Sequence, residues 1–409
     1  MIFKRMIRLL LDIPRALLRC VFYILYGLSF CVPRSKRVWL FDEWGGKRFA
    51  DNARYLYLYM HNNQTHLKAV WITHSDEIAA ELTEQGFHAY HAYSLQGLWY
   101  TLRAKVIVIE SHISAFYFLT GGMVKINLWH GLPIKKIVYD SAKTKKNNWV
   151  YTTTGLKRFY HLFFEPYKAD FGDYVLSQSK SWRDFFSSAF RVDTSHVIVE
   201  NQPRNEALLS SDVLVLPSEQ RLIETMEAIR ATKKVIMYLP TFRDGSNNPL
   251  EKSGLDFAAL DAFLGKHAMH MYIKMHHELP PAGNQPFSNL SFLPAEVGAM
   301  LPLRFTDILL TDYSSVYIEF LVLDRPIVFF PFDLDTYTGQ MREMYFDYEA
   351  ITPGQKAQNV EALYQALIDA AKQPEAYAGE RAKIRAMVLN PQPEKSASQV
   401  FARIERIVE

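Results

Sequence analysis

The chain has 409 residues, 49% hydrophobic and 14% aromatic, enough to form the cores of two or three domains. Its net charge of +3 argues against a general nucleic-acid binder, and its two cysteines argue against a disulfide framework or a thiolate metal site. The charge is uneven, because residues 1–37 hold eight basic residues and one acid, a net +7 that leaves −4 for the remainder.

The first 33 residues have the pattern of an amphipathic helix. Charged residues recur at spacings of three and four along one stripe: Arg5, Arg8, Asp12, Arg15 and Arg19. Residues 20–33 are uncharged but too few for an ordinary membrane span of about 20 residues. We therefore expect residues 1–33 to lie on a membrane surface, with Pro14 kinking or splitting the helix. The alternative is a pair of helices packed on the protein's own core.

After residue 37, apolar runs alternate with helical patterns. The predicted strands of the first half are residues 38–41, 68–73, 88–93, 105–110, 124–129, 174–177 and 196–199. The predicted helices are residues 52–60, 76–85 and 95–103. Residues 140–170 are basic and aromatic and give no clear assignment. The alternation predicts a parallel sheet with helices on both faces.

A second alternating region begins at residue 233. Its predicted strands are residues 233–239, 269–275, 308–310 and 327–330, with helices at 316–323, 360–371 and 397–408 and a loop at 211–219. Two doubly wound sheets facing each other would form a cleft at the carboxyl ends of their strands. The predicted division is a membrane-associating segment at 1–35, α/β domains at 36–200 and 201–390, and a terminal helix at 391–409.

Residues 308–331 form the most informative stretch, reading as strand, polar turn, helix and strand. Asp312, Ser314 and Ser315 fall at the predicted start of the helix, where small polar side chains cap free N–H groups. These N–H groups and the helix dipole favour an anion, typically phosphate. On the local pattern alone, simple capping of the helix is the favoured interpretation.

Polar groups also follow two strands of the first half. The loop from Asp42 to Asn52 contains glycines and Lys47, and it can serve an anion or be an ordinary surface loop. His130 follows the strand ending near residue 129 and precedes Gly131, so it can be held at a cleft and accept a proton from a hydroxyl group. A lone histidine is more often structural.

Two further groups follow strands of the second half. Arg243 can bind phosphate with its fork of donors or form a surface ion pair with Asp244. Lys274 and His276 share one side of an extended chain and can face one ligand. The neighbouring His277 also raises the possibility of a metal, but no acidic partner at a recognisable spacing supports it, so we expect no metal and no cofactor.

Taken in order, these segments resemble the CDP-glycerol glycerophosphotransferase family of teichoic acid and capsule synthesis. The matching pieces are FDEWGGKRFADNARYLYLYM (41–60), NLWHGLPIKKIVYD (127–140), QPRNE (202–206), YLPTFRDG (238–245), IKMHH (273–277) and LLTDYSSVYIEFLVLDRPIVFFPFDLDTY (309–337). The resemblance implies a GT-B fold, two Rossmann-like domains around a cleft. It also implies transfer of glycerol phosphate from CDP-glycerol to a hydroxyl of a lipid-linked acceptor, with release of CMP, by a peripheral protein on the cytoplasmic face of the membrane.

The resemblance further implies a role for each matching residue. His130 would be the general base or another critical residue of the site, and His276 would contact the donor diphosphate. On the donor side, the residues are Thr241, Arg243, Lys274, Asp312, Ser314, Ser315, Glu319 and Asp324, with Asp312 ordering the turn and the last two supporting the nucleotide end. On the acceptor side they are Gly46, Lys47, Asp51 and Asn52. Residues 201–206 depart from the family's usual Gly-x-Pro-Arg-x-Asp form, which puts the role of that loop in question.

Three alternatives remain open from the sequence. The donor can be another CDP-polyol, such as CDP-ribitol. The protein can be a GT-B glycosyltransferase that uses a nucleotide sugar. It can also be a non-catalytic membrane scaffold whose α/β halves only bind nucleotide. The sequence does not identify the oligomeric state or the acceptor.

Overall fold

A computed structural model describes residues 2–113, 115–141, 150, 153–210, 213–241, 243, 250–275, 287–294, 297–337 and 343–409. Its core consists of two parallel β-sheets, each covered by helices. The strands are β1 Ser35–Phe41, β2 Lys68–Thr73, β3 Ala89–His91, β4 Ala104–Ile109, β5 Val124–Asn127, β6 Tyr174–Ser177, β7 Val197–Val199, β8 Lys234–Leu239, β9 Met269–Ile273, β10 Leu290–Phe292, β11 Ile308–Thr311, β12 Ile327–Phe329 and β13 Gln355–Lys356.

The first sheet has seven parallel strands in the order β3-β2-β1-β4-β5-β6-β7. The strand order reverses between β1 and β4, which pair directly, with Trp39 opposite Val106 and Phe41 opposite Val108. This reversal opens a crevice beyond the carboxyl ends of β1 and β4. The crevice is where the loop after β1 and the residues after β4 meet.

The second sheet has six parallel strands in the order β10-β9-β8-β11-β12-β13. Its reversal lies between β8 and β11, where Thr311 is opposite Leu239. The short strands β10 and β13 at the two edges were not predicted, because two or three residues carry too little apolar pattern. Two doubly wound α/β domains confirm the predicted GT-B fold class.

The α-helices surround these sheets on both faces. They are α1 Ile2–Ser29, α2 Asp51–Asn63, α3 Asp76–Glu84, α4 Leu95–Arg103, α5 Gly155–Phe164, α6 Arg183–Phe190, α7 Glu206–Leu209, α8 Pro217–Arg230, α9 Phe257–Lys266, α10 Met300–Arg304, α11 Val316–Phe320, α12 Leu334–Thr336, α13 Tyr348–Ile351, α14 Val360–Lys372, α15 Ala378–Val388 and α16 Ser396–Val408. The predicted helix at 316–323 is present as α11 followed by a 3₁₀ turn at Leu321–Leu323. The predicted loop at 211–219 is shorter than expected, because α8 starts at Pro217, a favoured first helical residue.

Helix α1 runs unbroken through Pro14, so the proline does not split it as one form of the prediction allowed. One side of its later turns packs on the first domain through aromatic rings. Phe22 lies 5.1 Å from Phe118, and Tyr23 stacks on Phe163 of α5 at 5.5 Å. The Tyr23 hydroxyl also donates to backbone carbonyls of α5. Helix α5 lies in the region that the sequence left unassigned.

The chain passes between the domains twice. It leaves the first domain through residues 200–216 and returns after α15, so that α16 packs on the first domain. Phe401 of α16 lies 5.5 Å from Trp39 of β1, within one buried cluster. The two passages are joined, since the Asn201 side chain donates to the carbonyl of Asn390 and accepts from its N–H.

Candidate active site

A cavity of about 190 Å³ lies between the two domains, at the ends of strands from both sheets. The first domain contributes Glu43 after β1 and His130 after β5. The second contributes Lys274 after β9, and Ser314 and Ser315 after β11. The side chains from the two domains are thus more than 140 residues apart in the sequence but face one cavity. The sequence predicts such a cleft at the carboxyl ends of the parallel strands.

His130 is held in a defined orientation at the wall of this cavity. Its ring lies 4.0 Å from that of Trp129, and its Nδ1 donates to the carbonyl of Glu110 3.3 Å away, because a carbonyl oxygen can only accept. The lone pair of the neutral ring is then on Nε2. Burial lowers the pKa of His130 to about 4, although Asp51 acts in the opposite direction. The imidazole is therefore in its proton-accepting form at neutral pH.

Three carboxylates lie close to His130. Glu43, Asp51 and Glu110 offer oxygen atoms within 4.8 Å of one another, and within the described ranges no other group of acids and histidines is arranged to hold a cation. Burial raises the pKa of Glu43 to about 8 and raises that of Glu110 well above its ordinary value. Protons can therefore reduce the repulsion in this group without a metal ion.

Arg204 lies beside these acids, in the 3₁₀ turn Pro203–Asn205. It donates to Asp51 of the first domain at 2.7 Å and to Glu319 of the second at 2.6 Å. Glu319 was predicted to support the nucleotide end of the donor. The structure places it fully buried beneath the cavity and paired with Arg204, and its support of the donor stays a prediction. The partners of Arg204 were not predictable from local patterns, because both carboxylates are more than 100 residues away in the sequence.

Gly131 allows the loop carrying His130 to pack against both domains. Its φ is +138°, and a Cβ there would lie 3.1 Å from Arg204 Nη2 and 3.2 Å from Ser315 Oγ. We expect Gly131→Ala to lower the free energy of unfolding by about 2–4 kcal/mol, from backbone strain and the displaced side chains. Chemical denaturation of both proteins measures this loss.

Gly86→Ala is the matched control for Gly131→Ala. Gly86 also has a positive φ, +84°, but no atom lies within 4 Å of its Cβ position. It should show the cost of the backbone conformation alone, about 1 kcal/mol. Equal losses in the two variants would mean that the contacts around Gly131 contribute nothing.

In the second domain, Asp312 and Arg243 order the turn after β11. Asp312 accepts from the Thr241 N–H at 2.9 Å, from the Tyr313 N–H and from Arg243. Arg243 also donates twice to Asp333, at 2.8 and 3.1 Å, and its side chain is 4% exposed. These contacts agree with the predicted ordering role of Asp312. They place Arg243 within the support of the turn, and its direct contact with phosphate stays a prediction.

The other predicted residues divide into three sets. Asp51, Lys274, Ser314 and Ser315 line the cavity together with His130. Asn52 lies just behind it, fully buried, and its side chain donates to the carbonyl of Trp129 at 2.8 Å. The residues away from the cavity lining are Gly46, Lys47, Thr241 and Asp324, and Asp324 pairs instead with Arg381 at 3.0 Å.

His276 lies outside the described residues, and so does His277. The predicted contact of His276 with the donor diphosphate therefore stays a prediction. Lys274, two residues earlier, donates to the carbonyl of Pro294 at 3.2 Å and lines the cavity. This is consistent with the expectation that the segment after β9 faces the ligand.

Several cavity residues were not singled out from the sequence. Glu43, which lines the cavity, follows β1, and Glu110, which is fully buried outside the lining, follows β4; these are the neighbouring strands at the reversal of the first sheet. Their positions after apolar runs were a usable signal, because ligand-facing residues occur there. Arg54 and Glu219 also line the cavity and form a bidentate ion pair at 2.6 and 2.8 Å. That pair joins α2 to α8, a tertiary contact without a local sequence signal.

Comparisons with known proteins agree with this geometry. The family profile described as "CDP-Glycerol:Poly(glycerophosphate) glycerophosphotransferase" matches residues 24–406. The teichoic acid poly(glycerol phosphate) polymerase of Bacillus subtilis strain 168 is 27% identical over 84% of this chain, and the chain spans 45% of that relative. The teichoic acid glycerol-phosphate transferase of Staphylococcus aureus is also 27% identical, over 89% of this chain and 90% of its own length.

A solved structure has the same fold. The wall teichoic acid polymerase TagF superposes with a TM-score of 0.74 at 21% identity, covering 96% of each chain. At this identity the likeness supports the arrangement of the two domains and carries no residue roles.

Proposed function

The chain belongs to the CDP-glycerol:poly(glycerophosphate) glycerophosphotransferase family, and on that premise we propose that it transfers glycerol phosphate from CDP-glycerol to a hydroxyl group of a lipid-linked, teichoic-acid-like acceptor. The observation that carries the proposal is the shared cavity. It brings a neutral histidine of one domain to the hydroxyl and ammonium groups of Ser314, Ser315 and Lys274 of the other.

The chemistry is a displacement at the β-phosphorus of the donor. The acceptor oxygen forms a bond to that phosphorus, and the bond from phosphorus to the bridging oxygen breaks, so CMP leaves with the electron pair. The proton of the acceptor hydroxyl passes to Nε2 of His130. The protein has to align the two reactants and stabilise the charge that develops on the leaving oxygen.

The two sides of the cavity suit the two substrates. Lys274, Ser314 and Ser315 can donate hydrogen bonds to the diphosphate, which is an anion. Asp51 and Glu43 face the same space from the first domain, where an acceptor with several hydroxyl groups would bind. The ammonium group of Lys274 beside the two serine hydroxyls therefore favours the donor on the side of the second domain.

The experiment that tests the function is CMP release by purified protein. CDP-glycerol and CDP-ribitol are compared, each with and without a glycerol-phosphate-primed lipid analogue. Acceptor-dependent release from CDP-glycerol would support the proposal, and preference for CDP-ribitol would correct the polyol. No release from either donor, together with thermal stabilisation by a UDP-sugar, would replace it with the nucleotide-sugar reaction.

We further propose that helices α1 and α5 attach the protein to a membrane surface, on the cytoplasmic face where a CDP-linked donor is available. Large apolar side chains project from both helices: Leu17, Val21, Ile24 and Leu28 of α1, and Leu156, Phe159 and Tyr160 of α5. The exposures of Leu156 and Phe159 are 87% and 67%. None of the helices in the described ranges has the length and apolarity needed to cross a membrane. An amphipathic surface beside basic residues suits the headgroup region of anionic lipids.

Replacing Leu156 and Phe159 together with Asp should release the full-length protein from vesicles that contain phosphatidylglycerol. Each side chain contributes about 1.5–3 kcal/mol when it leaves water, so the loss of affinity for the two together should be about a hundredfold or more. Vesicle co-sedimentation measures it.

Leu209→Asp, at an exposed residue of α7, is the control and should leave vesicle binding unchanged. If the double variant also binds normally, α5 is not part of the attachment surface. Deletion of residues 1–33 then shows whether α1 alone accounts for binding.

A further inference from the structure

Arg204 occupies a position that the proposed chemistry does not use. It lies in the first passage between the domains, and its guanidinium group is 5% exposed. Its two terminal nitrogens reach in different directions, Nη1 to Asp51 at the start of α2 and Nη2 to Glu319 in α11. One carboxylate belongs to each domain, so a single side chain joins the two domains at the wall of the cavity.

The same residue also contacts the segment that carries His130. Its backbone N–H donates to the Asn52 side chain at 3.2 Å, and that side chain donates to the carbonyl of Trp129 at 2.8 Å. On the other side, Gly131 lies against the guanidinium group and against Ser315. The residues on both sides of His130 are thus held by a chain of contacts that ends at Arg204.

The ion pairs are buried and mutually dependent. The Glu319 side chain is fully buried, and burial raises its pKa while Arg204 holds it down. Burial alone would lower the pKa of Arg204, but Asp51 and Glu319 raise it, so the group stays charged. Removal of the guanidinium group would leave the buried carboxylate of Glu319 without its cation. Arginine and carboxylate groups also bind each other in a defined orientation, so another cation would not reproduce the pair.

We propose that Arg204 is a positioning residue whose clamp on Asp51 and Glu319 fixes the distance between His130 and the Ser314–Ser315 turn. This role rests on the proposed function, because those two groups would align the acceptor hydroxyl with the donor phosphate. A misplacement of about 1 Å at such a site can cost about a hundredfold in rate. Lysine retains the charge but not the planar fork, so it cannot hold two carboxylates in the same geometry.

Arg204→Lys should therefore lower kcat for CMP release by about a hundredfold while the KM for CDP-glycerol changes less than about threefold. Glu319→Gln should produce the same pattern, more weakly, since Asp51 still holds Arg204. Arg381→Lys is the control, because Arg381 is an equally buried arginine paired with a carboxylate outside the cavity. The clamp is overturned if Arg204→Lys keeps kcat within about threefold of wild type, or if Arg381→Lys loses as much.

A pH profile separates positioning from loss of structure. His130 is faced by Asp51, Arg204 and Arg48 and by the carbonyl of Glu110, and among these the two arginines lower its pKa. Arg204→Met removes one of these charges and leaves Asp51 unpaired, so the acid limb of kcat/KM should move to higher pH. An unmoved acid limb in a folded Arg204→Met variant would contradict the proposed placement of Arg204 beside His130.

The clamp can also be tested without activity, by measuring the distance between the two domains in the ligand-free protein. This test applies even if the wild-type protein releases no CMP. Spin labels are placed at the exposed residues Glu84 of α3 and Lys266 of α9, after replacement of the exposed Cys20 and Cys31 by Ser. The distance distribution between the domains should broaden in Arg204→Lys and Glu319→Gln and not in Arg381→Lys. Broadening without any CMP release refutes the proposed function alone, whereas an unchanged distribution in Arg204→Lys refutes the clamp.

Discussion

Replacing His130 with Gln should lower acceptor-dependent CMP release by about a thousandfold or more while the protein stays folded. General base catalysis typically contributes about 10²–10⁴-fold, and no other imidazole lines the cavity among the described residues. Glutamine is close in size to histidine and can still donate to the carbonyl of Glu110, so the loop should keep its place. Turnover is measured by CMP release, and the fold by thermal unfolding.

His112→Gln is the matched control, since His112 follows β4, the strand next to β5, and is partly buried like His130, but it does not line the cavity. It should retain turnover. The pH profile adds a second readout. Because the pKa of His130 is lowered to about 4, kcat/KM of the wild type should stay level from about pH 7 to about pH 5, where an ordinary histidine of pKa about 6.5 would already be protonated. An acid limb near pH 6.5, or near-normal turnover in His130→Gln, would contradict the role of His130 as the base.

Asp312→Ala should cost about 3–5 kcal/mol in the free energy of unfolding and remove activity with it. Asp312 is fully buried and accepts from the N–H groups of Thr241 and Tyr313 and from the guanidinium group of Arg243. Alanine would leave these donors without an acceptor and Arg243 with only Asp333 as a counter-charge. Breaking a buried ion pair at one end usually costs about this much. Urea denaturation measures the change.

Asp307→Ala is the comparison for Asp312→Ala. Asp307 lies just before β11, at the opposite end of the same strand, and it also accepts from a backbone N–H and an arginine. The arginine there, Arg230, is more exposed, at 35%, so water can replace the lost contact and the cost should be about 1 kcal/mol. If Asp307→Ala and Asp312→Ala lower the free energy of unfolding by similar amounts, the turn after β11 does not depend on Asp312 more than the other end of the strand depends on Asp307.

The strands and the ends of the strands were predictable because parallel strands are buried on both faces. Runs such as residues 68–73 and 174–177 have an apolar centre, and the structure forms strands there with the predicted bounds. The polar residues that end such runs then meet at one edge of each sheet. This is why His130, Ser314 and Lys274 could be assigned to one cleft without knowing any contact between them.

The rest depended on tertiary pairing, which local patterns do not encode. The ion pair of Arg243 with Asp333, 90 residues away, and that of Glu319 with Arg204 have no local sequence signal, and the predicted contacts of Arg243 and Glu319 with the donor stay predictions. The helix α5 was missed since its apolar side faces outward, which gives no core pattern. Helix α1 continues through Pro14, although proline inside a helix favours a break. The low helix propensity of this one residue therefore did not determine where the helix ends.

The return of α16 to the first domain has a consequence for synthesis of the chain. Phe401 and Ile404 complete the cluster around Trp39, about 360 residues earlier, so the first domain cannot close its core when its own strands leave the ribosome. It must wait until the second domain has emerged, and its apolar surface stays open to chaperones or to aggregation during that interval. The two domains are therefore one unit of biogenesis, even though each has a sheet of its own.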